Sequence, residues 1–257
     1  MTGDPFVHLH VRSGFSFGFG VARPEELAEA AAGVGMPSLA LTVRDGLYGL
    51  PRFLEAAGTA GILPIVGVEV STAEGHIVLL AESMEGYRSL CRLITQYRTS
   101  SEDRRRPVCP LPTVVEHTEG VICLTGAVPF GLLPRLVLDD RRKEAMGVLR
   151  SLSEAFGRDR LYVELTDDQT AAGRRNAGKV AAFARDAGVP TVATGEVAYL
   201  SPADHRLHEV LVASANLTAL PGPEYRPTDR LHLRSAEEMH RLFAGYPEAL
   251  ANTAGLA

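Results

Sequence analysis

Apolar positions along the chain alternate between two rhythms. Short apolar runs of strand length occur at Phe6–Val11, Ser38–Val43, Leu63–Val70, His76–Ala81, Val121–Thr125, Arg160–Thr166 and Pro190–Val197. Between them lie stretches with helical spacing: Pro24–Gly35, Leu47–Ala60, Glu85–Arg98, Ala145–Phe156 and Ala172–Ala187. Several carry their own punctuation, with Pro24 at a first turn and Gly61, Gly157 and Gly188 just past the ends. Seven strands with helical crossovers predict a barrel-like α/β domain, smaller than the eight-fold barrel. The interval between Val70 and His76 leaves no room for a helix. Those two strands are therefore read as antiparallel or as an irregular corner.

Two segments break the alternation. Ser100–Pro112 (SSEDRRRPVCPLP) is charged and proline-rich and reads as an exposed loop, with Arg104–Arg106 as a possible phosphate or partner contact. After Leu200 the strands stop. Pro202–Asn216, Ala236–Phe243 and Pro247–Ala257 read as helices separated by a turn-rich Leu220–Arg230. The expected organisation is a barrel over residues 1–200 and a short helical tail over 201–257 that resembles a connector.

With 257 residues, 46% of them hydrophobic and 22% charged, the chain can bury a full core. The 26 basic and 31 acidic residues leave a formal charge of −5, so there is no global basic field for gripping duplex DNA. No apolar run reaches the ~18 residues that a membrane span needs. The first residues carry neither the basic nor the apolar region of a secretory signal. Cys91, Cys109 and Cys123 are odd in number and widely spaced, which fits reduced thiols in a cytoplasm.

In parallel α/β architectures chemistry collects at the carboxyl ends of strands. There this chain offers His8-Leu-His10-Val-Arg12, Thr42-Val43-Arg44-Asp45, Glu69, His76 and Thr194-Gly195-Glu196. Two imidazoles at i, i+2 share a strand face and suit metal ligation, although a strand HxH is equally a satisfied structural pair. Asp167-Asp168 reads as a solvated turn rather than an acid pair. His205 and His208 share a helix face without a third ligand. Gly14–Gly20 is interrupted by Phe15, Phe17 and Phe19, which suits an apolar mouth better than a phosphate cradle.

FVHLHVRSGFSFGFG, the following RPEELAEAAAGVGMPSLALTVRDGLYGLPRFLEAAGTAGILPIVGVEV, then HIVLLAESMEGYRSLCRLIT, GVICLTGA, RLYVELTDD and TVATGEVAYLSPADHRLHEVL together resemble the polymerase-and-histidinol-phosphatase (PHP) domain of bacterial DNA polymerase III alpha subunits and error-prone polymerases. The resemblance continues into LHLRSAEEMHRLFAGYPEALANT. It implies a distorted seven-stranded β/α barrel and, in active members, nine His, Asp, Glu and Cys ligands around up to three divalent metals that hydrolyse phosphoesters. Of that set His10, Glu69 and His76 are kept, and Glu196 stands at the acid position of the last motif, normally Asp-x-His. The other motif positions carry Arg12, Phe19, Val43, Arg44, Ala127 and Ala198, which supply no family ligand.

Arginine is a permanent cation without a lone pair to donate. At an effective dielectric near 20, a divalent ion ~5 Å from one guanidinium is repelled by roughly 6–7 kcal/mol. The expectation is a catalytically degenerate domain without a cofactor, in which Arg12 and Arg44 neutralise Glu69 and Glu196 through bidentate pairs; neutral drift with both arginines in solvent is the alternative. Such a domain would serve as a structural or partner-binding module for a polymerase body, a sliding clamp, a separate proofreading subunit or other replication or repair proteins, meeting DNA indirectly. The competing reading is a metal-dependent phosphoesterase or 3′–5′ exonuclease using zinc, manganese or iron.

Overall fold

Strands form where β-branched and leucine-rich runs leave no helical stripe, and the length of each connection fixes the pairing. In the computed structural model, which describes residues 5–220 and 228–257, six strands make one curled sheet in the order β1-β2-β3-β4-β5-β6. β1 (Ser38–Arg44) runs parallel to β2 (Leu63–Thr72) because α2 (Leu50–Ala60) provides the crossover. β3 (Gly75–Ala81) follows β2 after two residues and is antiparallel to it, one of the two geometries expected. β4 (Val121–Leu124) is antiparallel to β3, and β5 (Leu161–Leu165) and β6 (Thr191–Ala193) continue in parallel.

Among the described residues the expected count of seven strands is corrected to six. Phe6–Val11 is extended but makes only isolated bridges, His8 with Leu39 and Val11 with Val197. The Ala40 N–H donates to the His8 carbonyl at 3.0 Å, while the Val197 N–H donates to the His10 carbonyl at 3.0 Å. The segment divides its backbone groups between two neighbours, so no continuous ladder forms. The last strand stops at Ala193 rather than Val197, because Glu196 takes a left-handed φ of 46° that an extended strand excludes.

The remaining helices are α1 (Pro24–Gly33), α3 (Met84–Ser100), α4 (Leu111–Val115), α5 (Leu132–Leu138), α6 (Arg142–Phe156), α7 (Ala171–Ala187), α8 (His205–Asn216), α9 (Ala236–Leu242) and α10 (Pro247–Gly255). α4 and α5 were not expected. α5 (LLPRLVL) is apolar nearly all round and shows no polar face to read. Of the expected loop Ser100–Pro112, residues 101–110 are irregular, while Ser100 ends α3 and Leu111–Pro112 begin α4. Of the turn-rich Leu220–Arg230, residues 221–227 lie outside the described residues.

Alternation along the strands sorts their side chains. Val68, Val70, Ile77 and Leu79 face the helices in the main core, while Ile65, Val78, Leu80, Leu124 and Val192 form a smaller cluster on the other face. Glu69 is two residues from Gly67 and pairs across from Val78, so it falls on that second face. There the apolar cluster gives way to charge. Met239, Phe243, Ala249 and Leu250 from the C-terminal helices share the main core. The Asn252 amide donates to the Thr191 carbonyl at 2.8 Å, which ties α10 to the sheet's edge strand.

Candidate functional site

Strand alternation and the extended N-terminal segment bring three carboxylates and three potential cations to one end of the sheet. His10 is fully buried between two acids: its Nε2–H donates to Glu69 Oε2 at 2.8 Å and its Nδ1–H to Glu164 Oε1 at 2.7 Å. Arg12 reaches over the same carboxylate. Its Nε–H donates to Glu69 Oε2 at 2.6 Å and its Nη2–H to Glu196 Oε1 at 3.1 Å. Arg44 Nε lies 3.4 Å from Glu69 Oε1 and donates to Ser71 Oγ at 3.1 Å. Its guanidinium also sits 4.1 Å from the centre of the Phe19 ring. The Glu164 carboxylate additionally accepts the Thr194 hydroxyl.

Imidazole and carboxylate fix each other's charge here. Burial opposes a proton on His10, but Glu164 and Glu69 outweigh it and raise the ring to about 9. Burial would raise Glu69, yet Arg12, the hydrogen bond from His10 and Arg44 hold it well below the ordinary carboxylate range. His76 behaves in the opposite way: burial, helped by the neighbouring cations, keeps it neutral, and its Nε2 accepts the Ala127 N–H at 3.2 Å. The His10 and His76 rings meet edge-on with centroids 5.6 Å apart. Three carboxyl groups, of Glu69, Glu164 and Glu196, thus face the guanidiniums of Arg12 and Arg44 and the imidazole of His10.

The residues singled out in the sequence are thus brought together at His10, Arg12, Arg44, Glu69, His76 and Glu196. The pairing differs from expectation in one respect. Arg12 bridges two carboxylates with one contact each instead of gripping one in a fork, because Glu69 and Glu196 arrive from different elements. Val43 and Ala198 are fully buried apolar contacts, and Ala127 presents its backbone N–H to His76. Asp45 is a loop tie, accepting from the Ser71 N–H at 2.9 Å, the Ser71 hydroxyl at 2.7 Å and the Tyr97 hydroxyl at 3.0 Å. Asp167 and Asp168 accept from backbone N–H groups of Gln169 and Thr170 at the start of α7, the turn expected of them. His208 donates from Nε2 to the Phe19 carbonyl at 3.1 Å and packs against Tyr199.

Glu164 escaped the reading of the sequence. Its signal was present: a lone carboxylate in the middle of the apolar strand Leu161–Leu165, which an ordinary core strand does not tolerate.

The PHP domain model matches residues 8–168. The chain belongs to the PHP-domain family. Along 98% of its length it is 35% identical to an error-prone DNA polymerase of Symbiobacterium thermophilum, of which it covers 25%. It is 32% identical, over 98% of the chain, to DNA polymerase III subunit alpha of Pseudomonas aeruginosa, of which it covers 22%. The domain therefore spans about a quarter of the length of these relatives. Among solved structures, an amidohydrolase from Chromobacterium violaceum superposes with a TM-score of 0.52 at 19% identity, covering 75% of this chain and 87% of that one. A protein described as a candidate metal-dependent phosphoesterase from Bifidobacterium adolescentis reaches a TM-score of 0.52 at 12% identity, covering 76% and 88%. At these identities the likeness concerns the fold, and it agrees with a PHP domain built on a curled sheet. Among the described residues no helix is long and apolar enough to cross a membrane.

Proposed function

We propose that this PHP domain is catalytically degenerate and serves as a structural and partner-binding module of a DNA polymerase of the III alpha or error-prone kind. The observation that carries the reading is Arg12, whose guanidinium lies between the Glu69 and Glu196 carboxylates. A divalent ion held by Glu69 would share that oxygen with a permanent positive charge and meet roughly 6–7 kcal/mol of repulsion from it at ~5 Å. Both nitrogens of His10 are committed to carboxylates. The residues present do not fit a divalent cluster.

A second reading, a metal-dependent phosphoesterase or 3′–5′ exonuclease, is favoured by one feature. His10, Glu69 and His76 each offer a ligand atom, all within 4.8 Å of one another. Metal analysis separates the two after expression in medium supplied with zinc, manganese and iron, followed by cleavage assays on a 3′-labelled oligonucleotide with added manganese. Substoichiometric metal and an uncut oligonucleotide are expected. One bound ion or more per chain, with cleavage that EDTA abolishes, would establish the enzyme instead.

The same reading assigns residues 201–257 to a connector toward a polymerase body, and places the domain in a cytoplasm among replication or repair proteins. What supports it is similarity to two polymerase types along the whole chain, the C-terminal helices included. A sliding clamp or a separate proofreading subunit are the other partners of this class.

A further inference from the structure

A groove of about 920 Å³ opens beside the arginine-filled centre, between the phenylalanine loop and the loop that follows α3. Six arginines and two aspartates line it. Of the aspartates, Asp45 is occupied by Ser71 and Tyr97, and Asp139 lies 4.0 Å from Arg135. In a chain of net charge −5 this is a local reversal of sign. Arg104, Arg105 and Arg106 are all exposed, and none has a carboxylate partner among the described residues. Their loop is nonetheless held: the Cys109 N–H donates to the Ser71 carbonyl at 2.8 Å, and the Arg105 N–H donates to Asp103 Oδ1 at 2.8 Å.

Aromatic rings share the groove with these cations. Phe17 is 72% exposed and Tyr48 is 42% exposed, an uncommon state for rings of that size on a monomeric surface. Arg98 lies over the Tyr48 ring at 5.8 Å. Cationic side chains spaced along a channel, interleaved with open aromatic faces, match a polymer with regular negative charges and unpaired flat bases. A small phosphate would leave the aromatics and most of the volume unused. A duplex would hide its base faces from Phe17 and Tyr48.

We propose that this groove binds single-stranded nucleic acid without cleaving it, with phosphates on Arg98 and Arg104–Arg106 and bases stacked on Phe17 and Tyr48. The groove adjoins the centre at Glu69 and shares Arg44 and His76 with it, but Arg98, Arg104–Arg106, Phe17 and Tyr48, which carry the proposal, lie outside that centre.

Fluorescence anisotropy of the 257-residue chain with a labelled oligothymidylate, in EDTA and across a potassium chloride series, provides the test. With four arginines on phosphates, the log–log salt slope should be about −3, from ~0.7 per contact on single strands. Arg104→Ala/Arg105→Ala/Arg106→Ala should weaken binding at least ~10-fold and flatten that slope by about 2, again at ~0.7 per contact. Phe17→Ala should cost ~5-fold or more, the effect of losing roughly 1 kcal/mol of base stacking, with the salt slope unchanged. A control that removes three exposed cations elsewhere, Lys143→Ala/Arg150→Ala/Arg158→Ala, should bind as the parent does. No binding at low salt, equal losses in the control and groove variants, or equal affinity for a duplex of the same length would each overturn the proposal. None of those results bears on the metal content that tests the degenerate centre.

Discussion

Replacing Arg12 by methionine removes the charge from the centre while keeping most of the side-chain bulk. Arg12 is 7% exposed at its side chain, and its partners Glu69 and Glu196 are 0% and 2% exposed, so solvent screens neither contact. At ~4 Å between charge centres and an effective dielectric near 20, each carboxylate gains about 4 kcal/mol from the guanidinium. Part of that gain offsets the desolvation of Arg12 itself, which disappears with the side chain. Breaking a buried pair by removing one partner costs about 3–5 kcal/mol in measured cases. Glu69 keeps His10 and Arg44, which places Arg12→Met near the lower end, about 3 kcal/mol. For a chain of this size that corresponds to a fall in Tm of roughly 6–12 °C. Urea unfolding followed by circular dichroism at neutral pH reads the difference, with the slope checked for two-state behaviour. Adding Glu69→Gln to Arg12→Met should recover part of the loss, because the uncompensated charge goes with it. If Arg12→Met changes stability by less than about 1 kcal/mol, the range of an exposed pair, the guanidinium does not hold the centre together.

The protonated state of His10 makes a second contribution that depends on pH. Its ring is raised from 6.5 to about 9 in the folded chain. The linked stabilisation, about 3 kcal/mol at 1.36 kcal/mol per pH unit, is therefore fully present below pH 6.5 and lost as pH rises through 9. Urea midpoints of the parent and of His10→Gln should converge by about that amount between pH 6 and 9.5, and a constant gap would refute the assignment. Arg44→Ala should cost less than Arg12→Met, about 1 kcal/mol, because Arg44 stands 3.4 Å from Glu69 with 22% of its side chain exposed. An unchanged melting temperature would leave Arg44 outside the charge balance, as neutral drift requires.

Much of the architecture was legible because its signals are local. Gly61 and Gly188 end α2 and α7 in left-handed conformation, and the short link between β2 and β3 permits only an antiparallel pair. Where the reading failed, the deciding partner was remote. Phe6–Val11 has the pattern of a strand, yet whether it forms a ladder depends on Leu39 and Val197. α5 has no polar face because the fold covers it on more than one side, so periodicity could not reveal it. Glu164 went unremarked because a single acid in an apolar strand acquires meaning only when His10 and Thr194 arrive beside it.

Sequence alone determined which groups are available: strand and helix periods, the retained His10, Glu69 and His76, and guanidiniums at positions where a ligand would need a lone pair. Those properties belong to individual residues and survive in any conformation. Which charge meets which was decided by the curl of the sheet, since Arg12, Glu69, Glu164 and Glu196 sit on separate elements and their interaction energy depends on ångström separations that no one-dimensional pattern encodes. Tertiary structure likewise chose to bridge two carboxylates with Arg12 instead of forking one. It also set the arginines of the loop after α3 across an open groove from Phe17.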